Sequence, residues 1–465
     1  MKKSLFSRVR LTVIIIAVII VLGGFFLIKN NNGAVKNIAL TSLSIASKFS
    51  NLLPIAEDEK AELNVVNELV STLTKNDDVE RKFLLLLQNN MELRPGGGFL
   101  GQYAVIKLKN GEITYSYFED ANILDQRINA KVTPPYPFTR MMQIKKWEFR
   151  DSNFSPDFPT NVEKAKYFYR LAGRSSDFDG VIAVNATVLE SVLKIIGPIT
   201  VYGKTFTSSN VVLDLEEIVE KKYIESKEAG MEMDTQDRKA IMKQMTTIIL
   251  DKLASLGNVT KIAGMIHDET KNKNIMFNFT DSKLQGLIES VYWDGKVSET
   301  WKSDYLMMVD ANMGSFKSDY YMKREVDYNI DLTQPKPVVN LNIKYIHNAK
   351  YGDWRTSDYH SYLRVYVPKG ANLLERKMVS YPNIQEEFGK TYFGFIVHTL
   401  IGRSTNAFIK YELPEDFNRE DYKLLIQKQS GVGDVPVKVT VTTKEGTSTQ
   451  EQILKKDLRF EFVKK

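Results

Sequence analysis

A run of three glycines follows an arginine in a segment that could bind an anion. Arg94 and Pro95 precede Gly96, Gly97 and Gly98. Backbone N–H groups in such a loop can converge on an anion, and an arginine adds a fork of further donors. The segment lacks the Gly-Lys-Ser/Thr of a nucleotide-binding P-loop. A tight turn between two strands explains the same residues as well, so both interpretations stay open.

A second polar segment, residues 150–160, leads into the start of a helix. Helix N-termini attract anions. The carboxylates of Asp151 and Asp157 are also ligands of the kind that Mg²⁺ prefers. The alternative is a loop rich in aspartate and proline that only caps the helix.

Two further charged groups have simpler explanations. Glu119 and Asp120 end a predicted strand, where an acidic pair is usually solvated. Arg238, Lys243 and Gln244 lie on a helix predicted over about 236–256. Charges on such a helix usually form its solvent-facing surface.

The composition excludes several other chemistries. The chain has 465 residues, no Cys and only four His. Thiolate nucleophiles, disulfides, Cys-type zinc sites and iron–sulfur clusters are therefore excluded. The composition is 43% apolar and 26% charged, which is typical of a globular protein. At roughly 100–200 residues per domain, this length predicts two or three folded units.

An α/β domain over residues 79–332 must position the candidate residues. Residues 83–87 form an apolar run that is typical of a central strand covered on both faces. Strands predicted over about 100–109 and 112–119 are joined by Asn110–Gly111, a strong hairpin signal. Strands and helices alternate through the rest of this region, which indicates an α/β layer fold.

One helix of this domain has a recognisable start. Thr160 and Glu163 have the spacing of a capping box, and Gly173 follows the last helical residue, at about Leu171. We expect the preceding residues, about 120–158, to form a long polar loop.

Residues 333–465 have a different pattern. Val339, Leu341, Ile343 and Tyr345 alternate strictly with polar residues, and residues 437–441 repeat the pattern. Such alternation predicts a C-terminal all-β sandwich.

The N-terminus predicts a membrane anchor. Residues 11–28 contain no charged residue and would form a helix roughly 27 Å long, close to the thickness of a bilayer core. Four basic residues precede this run, and the positive-inside rule places them in the cytoplasm. We expect a cytoplasmic tail and single transmembrane helix over 1–32, a helical stalk over 33–78, and an extracytoplasmic remainder. A cleaved signal peptide is the competing interpretation.

These four basic residues also account for most of the net charge of +6. The rest of the chain is nearly neutral and lacks the basic stripe that nucleic acid binding requires. We therefore expect no nucleic acid partner.

Several longer motifs occur together along the chain. They are QNNMELRPGGGFLG (88–101), FED (118–120), RDSNFSPDFPT (150–160), FDGVIAV (178–184), VDANMGSFKSDYY (309–321) and YLRVYVPKG (362–370). From about residue 83 to the C-terminus, their wording and order resemble the bacterial domain-of-unknown-function family 4012. This resemblance implies an exported, membrane-anchored protein of the bacterial cell envelope and no established activity.

The order of elements is more distantly similar to the LytR-CpsA-Psr family. Those proteins are single-pass, extracytoplasmic α/β enzymes that transfer glycopolymers from a polyprenyl-pyrophosphate lipid to the cell wall. They use arginines and a Mg²⁺ held by aspartates. This likeness implies a mixed sheet with flanking helices and a Mg-dependent phosphotransferase.

Roles for individual residues follow from this likeness. The phosphate-binding residues would be Arg94, Arg150 and Arg238. The metal ligands would be Asp120 and Asp151, which with Arg94 and Arg238 form the candidate catalytic set. The remaining ligand-binding residues would be Gly96, Gly97, Gly98, Lys243 and Gln244.

Two functions are compatible with these observations. The first is a membrane-anchored envelope protein that binds or transfers a polyprenyl-pyrophosphate-linked glycopolymer, with Mg²⁺ as its cofactor. The second is a non-catalytic surface adhesin or envelope assembly scaffold. Glu119 stands where the enzyme family has an arginine, which favours the second.

Overall fold

A computed structural model describes residues 57–217, 259–415 and 417–462, together with positions 244, 245, 248, 249 and 252. The predicted anchor over 1–32 and the first part of the predicted stalk lie outside these ranges. Among the described helices, none has the length and apolar character needed to span a membrane.

The first layer is a five-stranded mixed sheet with the order β3-β2-β1-β4-β7. Its strands are β1 (Arg81–Asn89), β2 (Phe99–Lys109), β3 (Glu112–Asp120), β4 (Gly180–Asn185) and β7 (Ile275–Phe279). A separate hairpin pairs β5 (Ile199–Val201) with β6 (Lys204–Phe206). β1 is parallel to β4, whereas the other pairs of the sheet are antiparallel.

The apolar run in β1 is the centre of the sheet, as predicted. Leu84 and Leu86 face one hydrophobic core, while Phe83, Leu85 and Leu87 face the other. Side chains alternate across a strand, so a run without polar residues is stable only where both faces are covered.

The hairpin between β2 and β3 also follows the prediction. Asn110 has φ 54° and Gly111 has φ 74°. A type I′ turn needs positive φ at both central residues, and Asn-Gly satisfies that need with little strain.

Helices cover both faces of the five-stranded sheet, except that the helix over 136–142 packs against residues of the C-terminal region such as Ala311 and Tyr362. They are α1 (Glu57–Thr74), α2 (Ala121–Gln126), α3 (Tyr136–Met142), α4 (Phe158–Leu171), α5 (Val188–Ile196), α6 (Val211–Glu216), α7 (Val259–Lys271) and α8 (Ser282–Ser290). α1 lies in the predicted stalk but packs on the sheet. Its residues Val65, Val66, Leu69 and Leu73 are buried in the same core as residues of α7 and α8.

The segment predicted as a long polar loop contains more structure than its sequence suggests. It holds α2, α3 and a 3₁₀ turn, Phe149–Asp151. The predicted capping box is also wrong in detail. Asp157 is the N-cap, and its Oδ2 accepts hydrogen bonds from the backbone N and Oγ1 of Thr160 at 3.0 and 2.6 Å.

The C-terminal region is β-rich and contains two six-stranded sheets, ordered β12-β15-β10-β9-β17-β18 and β13-β14-β11-β8-β16-β19. Their bounds are β8 (Asp304–Asn312), β9 (Met322–Asp331), β10 (Val338–His347), β11 (Tyr359–Pro368), β12 (Asn372–Lys377), β13 (Asn383–Glu387), β14 (Lys390–Thr399), β15 (Ser404–Glu412), β16 (Lys423–Gln427), β17 (Val435–Thr443), β18 (Gly446–Leu454) and β19 (Leu458–Glu461). Val339, Leu341, Ile343 and Tyr345 of β10 are all buried between the sheets, as the alternation predicts.

The strands of this sandwich begin earlier in the chain than the expected boundary at 333. β8 and β9 both precede it, and they pair with β11 and β10 respectively. The prolines at 335 and 337 lie in the connection between β9 and β10, within one antiparallel pair. A sequence break at these prolines therefore marks a turn inside the sandwich.

Candidate ligand-binding site

A cavity of about 410 Å³ lies where the five-stranded sheet meets the first strands of the sandwich. Its polar lining comes from Asn89, Glu92, Arg94, Gln102, Asn122, Glu148, Arg150, Asp151, Glu216, Ser315 and Lys317. Its apolar lining comes from Phe99, Met142, Ile144, Ala186, Val212 and Leu215. Ligand pockets in proteins commonly measure roughly 300–1,000 Å³, so this cavity has the size of a binding site.

Arg94 lines the cavity, but its guanidinium is engaged within the protein. The side chain is 1% exposed, and its Nε and Nη2 donate to Asp151 Oδ1 at 3.2 Å and to Glu92 Oε1 at 2.9 Å. Nη1 donates to the carbonyl of Asn312 at 2.9 Å. Burial opposes the charge of Arg94, yet Glu92 and Asp151 raise its pKa above the ordinary value. Arg94 therefore holds the cavity wall together as a buried cation.

The carboxylates predicted to hold Mg²⁺ are also engaged. Asp120 caps α2, and its Oδ1 accepts from the backbone N and Nδ2 of Asn122 at 2.8 and 2.7 Å. Asp151 pairs with Arg94, as described. Within the described ranges, no group of three or more His, Asp or Glu side chains could hold a metal ion. Asp120 and Asp151 are thus not arranged as the ligands of a magnesium ion, and Mg²⁺ stays a prediction from the family likeness.

Arg150 is the predicted site residue that is best placed to meet a ligand. Its side chain is 36% exposed and lines the cavity. The guanidinium donates to Glu148 and to Asn122 Oδ1, and its Nε lies 3.6 Å from Asp125 Oδ2. These contacts orient the side chain while leaving part of its surface open.

The three glycines serve close packing and do not line the cavity. Gly96 donates its N–H to the carbonyl of Asn153 at 3.0 Å, and the carbonyl of Gly98 accepts from Asn153 Nδ2. Gly97 has φ 130° and lies against Gly431 of the sandwich. All three are buried. Their arrangement is that of a tight turn, the second of the two interpretations drawn from the sequence.

The remaining predicted residues are not among the described residues that line the cavity. Arg238 and Lys243 lie outside the described ranges. Gln244 is helical and exposed, and it does not line the cavity.

Sequence reasoning missed two cavity residues that carried detectable signals. Lys317 belongs to the motif VDANMGSFKSDYY, and its Nζ lies 3.7 Å from Glu216 Oε2. Gln102 is an amide in the otherwise apolar centre of β2. An amide within the buried stretch of a strand is itself a pointer to a site, because burying a polar group costs free energy.

The same motif also ties the cavity to the sandwich. Asp319 Oδ2 accepts from the backbone N of Leu93 at 3.0 Å and from Asn312 Nδ2 at 2.8 Å. Its Oδ1 accepts from Arg324 at 3.1 Å, and Arg324 also donates to Asp310 at 2.7 Å. These buried ion pairs fix the segment that carries Arg94.

The family comparison matches the part of the chain that supplies most of these residues. Residues 78–219 match the family described as "Protein of unknown function (DUF4012)". This confirms the predicted resemblance over that segment. Comparison with the curated proteins found no match.

The DUF4012 segment contains Arg94, Gln102, Asp151 and Arg150, but not Lys317. The matched segment ends at residue 219, three residues after the end of α6. The cavity therefore joins the DUF4012 segment to a wall that the sandwich supplies. The likeness to the LytR-CpsA-Psr family stays a prediction.

Proposed function

We propose that the chain is a membrane-anchored protein of the bacterial envelope that binds a phosphorylated polyprenyl lipid carrying a glycan. The observation that carries the proposal is the cavity of about 410 Å³, whose walls are both apolar and charged. A ligand with a phosphate group beside a hydrocarbon chain has the same two characters. The distant family likeness, including its mixed-sheet fold, points to the same class of ligand.

The charged wall offers two cations to a phosphate. Arg150 retains open surface, and Lys317, whose Nζ lies 3.7 Å from Glu216 Oε2, lines the cavity from the segment between β8 and β9. Charge-assisted hydrogen bonds from such groups are roughly twice as strong as neutral ones. We assign phosphate binding to Arg150 and Lys317, and a supporting role to Arg94.

The apolar wall offers a surface for the start of a lipid chain. Met142 and Ile144 come from the end of α3 and the residues after it, Val212 and Leu215 come from α6, and all four line the cavity. Burying apolar surface contributes roughly 25 cal/mol per Å². A prenyl phosphate should therefore bind more tightly than inorganic phosphate of the same charge.

The function that we propose is binding of the lipid, without transfer of its glycan. A transferase would need Mg²⁺ or another group to activate the phosphate, and Asp120 and Asp151 are used within the protein. The adhesin or scaffold alternative differs in that its cavity would have no lipid ligand.

The experiment measures binding of farnesyl pyrophosphate and inorganic pyrophosphate to the full chain by calorimetry. The full chain is first extracted from bacterial membranes, and we expect detergent but not salt to release it. We expect farnesyl pyrophosphate to bind at least tenfold more tightly than pyrophosphate, a ratio worth about 1.4 kcal/mol. Arg150→Ala should weaken both ligands by about tenfold, since it removes a charged donor.

Arg170→Ala is the matched control, because Arg170 lies in the same domain on α4 and does not line the cavity. It should leave both affinities unchanged. The proposal is wrong if the wild-type chain binds neither ligand, and the scaffold alternative then becomes the better one. Release of the chain from membranes by salt alone would contradict the anchor.

A further inference from the structure

Gln102 is a buried amide in the wall of the cavity. It lies in the middle of β2, where its Cα pairs with those of Leu87 in β1 and Asp120 in β3. The residue is 0% exposed to solvent and belongs to the lining of the cavity.

Neither end of the Gln102 amide is satisfied by the protein. Within the described part of the chain, both Oε1 and Nε2 lack a hydrogen-bond partner. Leaving a buried polar group unpaired costs free energy, so buried amides are nearly always paired. An unpaired amide that lines a cavity is therefore placed to meet a bound group.

Neighbouring amides of the cavity are already used. Asn122 donates to Asp120 Oδ1 and accepts from Arg150. Asn89 donates to Glu216 Oε1 at 2.9 Å, and its Oδ1 accepts from the backbone N of Met91 at 3.1 Å. Gln102 thus differs from both cavity asparagines in having its donor and its acceptor available.

The chemistry of the amide selects the kind of group that it can bind. Ionised phosphate oxygens only accept hydrogen bonds, so a phosphate would satisfy Nε2 and leave Oε1 unpaired. A hydrocarbon chain would satisfy neither atom. Hydroxyl groups both donate and accept. Two neighbouring hydroxyls can therefore pair with both ends of one amide.

We propose that Gln102 binds two adjacent hydroxyl groups on the sugar that is attached to the phosphate of the ligand. This inference rests on the proposed function and assigns to Gln102 the binding of the first sugar of the glycan. The ligand class becomes a prenyl pyrophosphate whose first sugar is a hexose with free neighbouring hydroxyls. Arg150 and Lys317 then bind the phosphate, while the amide of Gln102 forms hydrogen bonds with the sugar.

The experiment compares farnesyl pyrophosphate with farnesyl pyrophosphate that carries a single hexose. The hexose is tested as glucose, galactose and mannose, because the amide does not define which stereochemistry fits. We expect wild type to bind at least one glycosylated probe about tenfold more tightly than the bare lipid. Gln102→Met should remove this gain and leave the affinity for bare farnesyl pyrophosphate within twofold of wild type.

Gln88→Met is the matched control. Gln88 is also a buried amide, 1% exposed, with both polar atoms unpaired among the described residues. It packs beside Gly97 and does not line the cavity. Gln88→Met should keep the preference for the glycosylated probe.

The outcomes separate this inference from the proposed function. If bare farnesyl pyrophosphate binds but Gln102→Met keeps the hexose preference, the inference is wrong and the proposed function stands. If wild type binds bare and glycosylated probes equally, the inference is also wrong. If wild type binds none of the probes, the proposed function fails and takes this inference with it. Thermal unfolding of each variant confirms that it is folded when tested.

Discussion

At the scale of single residues, Asp125 lies in surroundings that disfavour its ionised form. Its side chain is buried, its Oδ1 accepts from the backbone N of Phe149 at 2.7 Å, and Arg150 lies 3.6 Å from its Oδ2. Burial, with added repulsion from Glu148, raises the pKa of Asp125 to about 7, although Arg150 opposes the rise. The folded protein therefore binds a proton at Asp125 more tightly than the unfolded chain does.

This raised pKa predicts a pH dependence of stability. The pKa of Asp125 is higher in the folded protein than in the unfolded chain. The contribution of Asp125 to the free energy of unfolding is therefore greatest below about pH 4 and is lost as pH rises to about 7. Asp125→Asn mimics the protonated acid. Relative to wild type, we expect the variant to gain on the order of 3 kcal/mol in free energy of unfolding between pH 4.5 and pH 8. Urea unfolding at several pH values measures this difference.

Asp331→Asn serves as the control for that measurement. Hydrogen bonds from Thr333 and Gln334 lower the pKa of Asp331. The contribution of its carboxylate to the free energy of unfolding is therefore complete at any pH above the ordinary pKa of an aspartate. The difference between wild type and this variant should stay constant from pH 5 to pH 8. An equally constant difference for Asp125→Asn would show that Asp125 is ionised without cost.

The residue types of the site were visible in the sequence, but their roles were not. Arg94, Arg150 and Asp151 all line the cavity, as their types suggested. The sequence could not show that Arg94 and Asp151 neutralise each other, because that pairing depends on a close approach of two segments 57 residues apart. Gln102 interrupts an apolar stretch of β2, but the sequence does not show that its amide lacks a partner, because that depends on the packing around it.

At the scale of elements, the N-cap residue of α4 also binds the segment that precedes β8. Asp157 Oδ2 caps the helix through Thr160, while Asp157 Oδ1 accepts from the backbone N of Val297 at 3.0 Å. The carboxylate is 5% exposed. The side chain of Asp157 therefore caps the start of α4 and also binds the backbone at Val297.

This double role predicts an unequal response to two similar substitutions. Asp281 caps α8 through the backbone N of Leu284 at 2.8 Å. Asp281→Ala should lower the free energy of unfolding by about 1 kcal/mol, the usual loss for an N-cap. Asp157→Ala should cost about 1–2 kcal/mol more, because it leaves the buried N–H of Val297 unpaired. Chemical denaturation of both variants tests this, and equal losses would contradict the second role.

The elements themselves were predictable where local patterns are strong. The Asn110–Gly111 turn and the alternation along β10 are set by residues that are close in sequence. α2 and α3 were not predicted, since they have six and seven residues and short helices depend on tertiary contacts. The N-cap was misplaced because Asp157 and Thr160 both have capping side chains, and only the fold decides between them.

At the scale of the whole molecule, the DUF4012 segment and the sandwich meet backbone to backbone. Gly97 of the glycine run touches Gly431, which has φ 81° and follows β16. A Cβ on Gly431 would overlap the carbonyl of Gly97. Asn90 Nδ2 also donates to the carbonyl of Gly431 at 3.1 Å.

Two glycine substitutions close together test this contact. Gly431→Ala should destabilise the protein by about 2 kcal/mol or more, since it introduces both a clash and a strained positive φ. Gly433→Ala should be neutral, because no atom lies within 4 Å of its added Cβ. Thermal unfolding distinguishes the two. A mild effect of Gly431→Ala would mean that the two regions can separate without loss.

The global arrangement was predictable only in outline. An α/β region followed by a β-rich one agrees with the sheets. The cavity between them was not foreseen, because Arg150 and Lys317 are far apart in the chain and only tertiary packing places both in its lining.

The strand order of the sandwich has a consequence for synthesis on the ribosome. β8 and β9 are made first, yet each pairs in parallel with a strand made much later: Asp304 with Leu424, and Val326 with Val437. Until β16 and β17 emerge, one edge of each early strand has no partner. Unpaired edges readily join other chains. During synthesis, β8 and β9 are therefore at risk of pairing with other chains until β16 and β17 have been made.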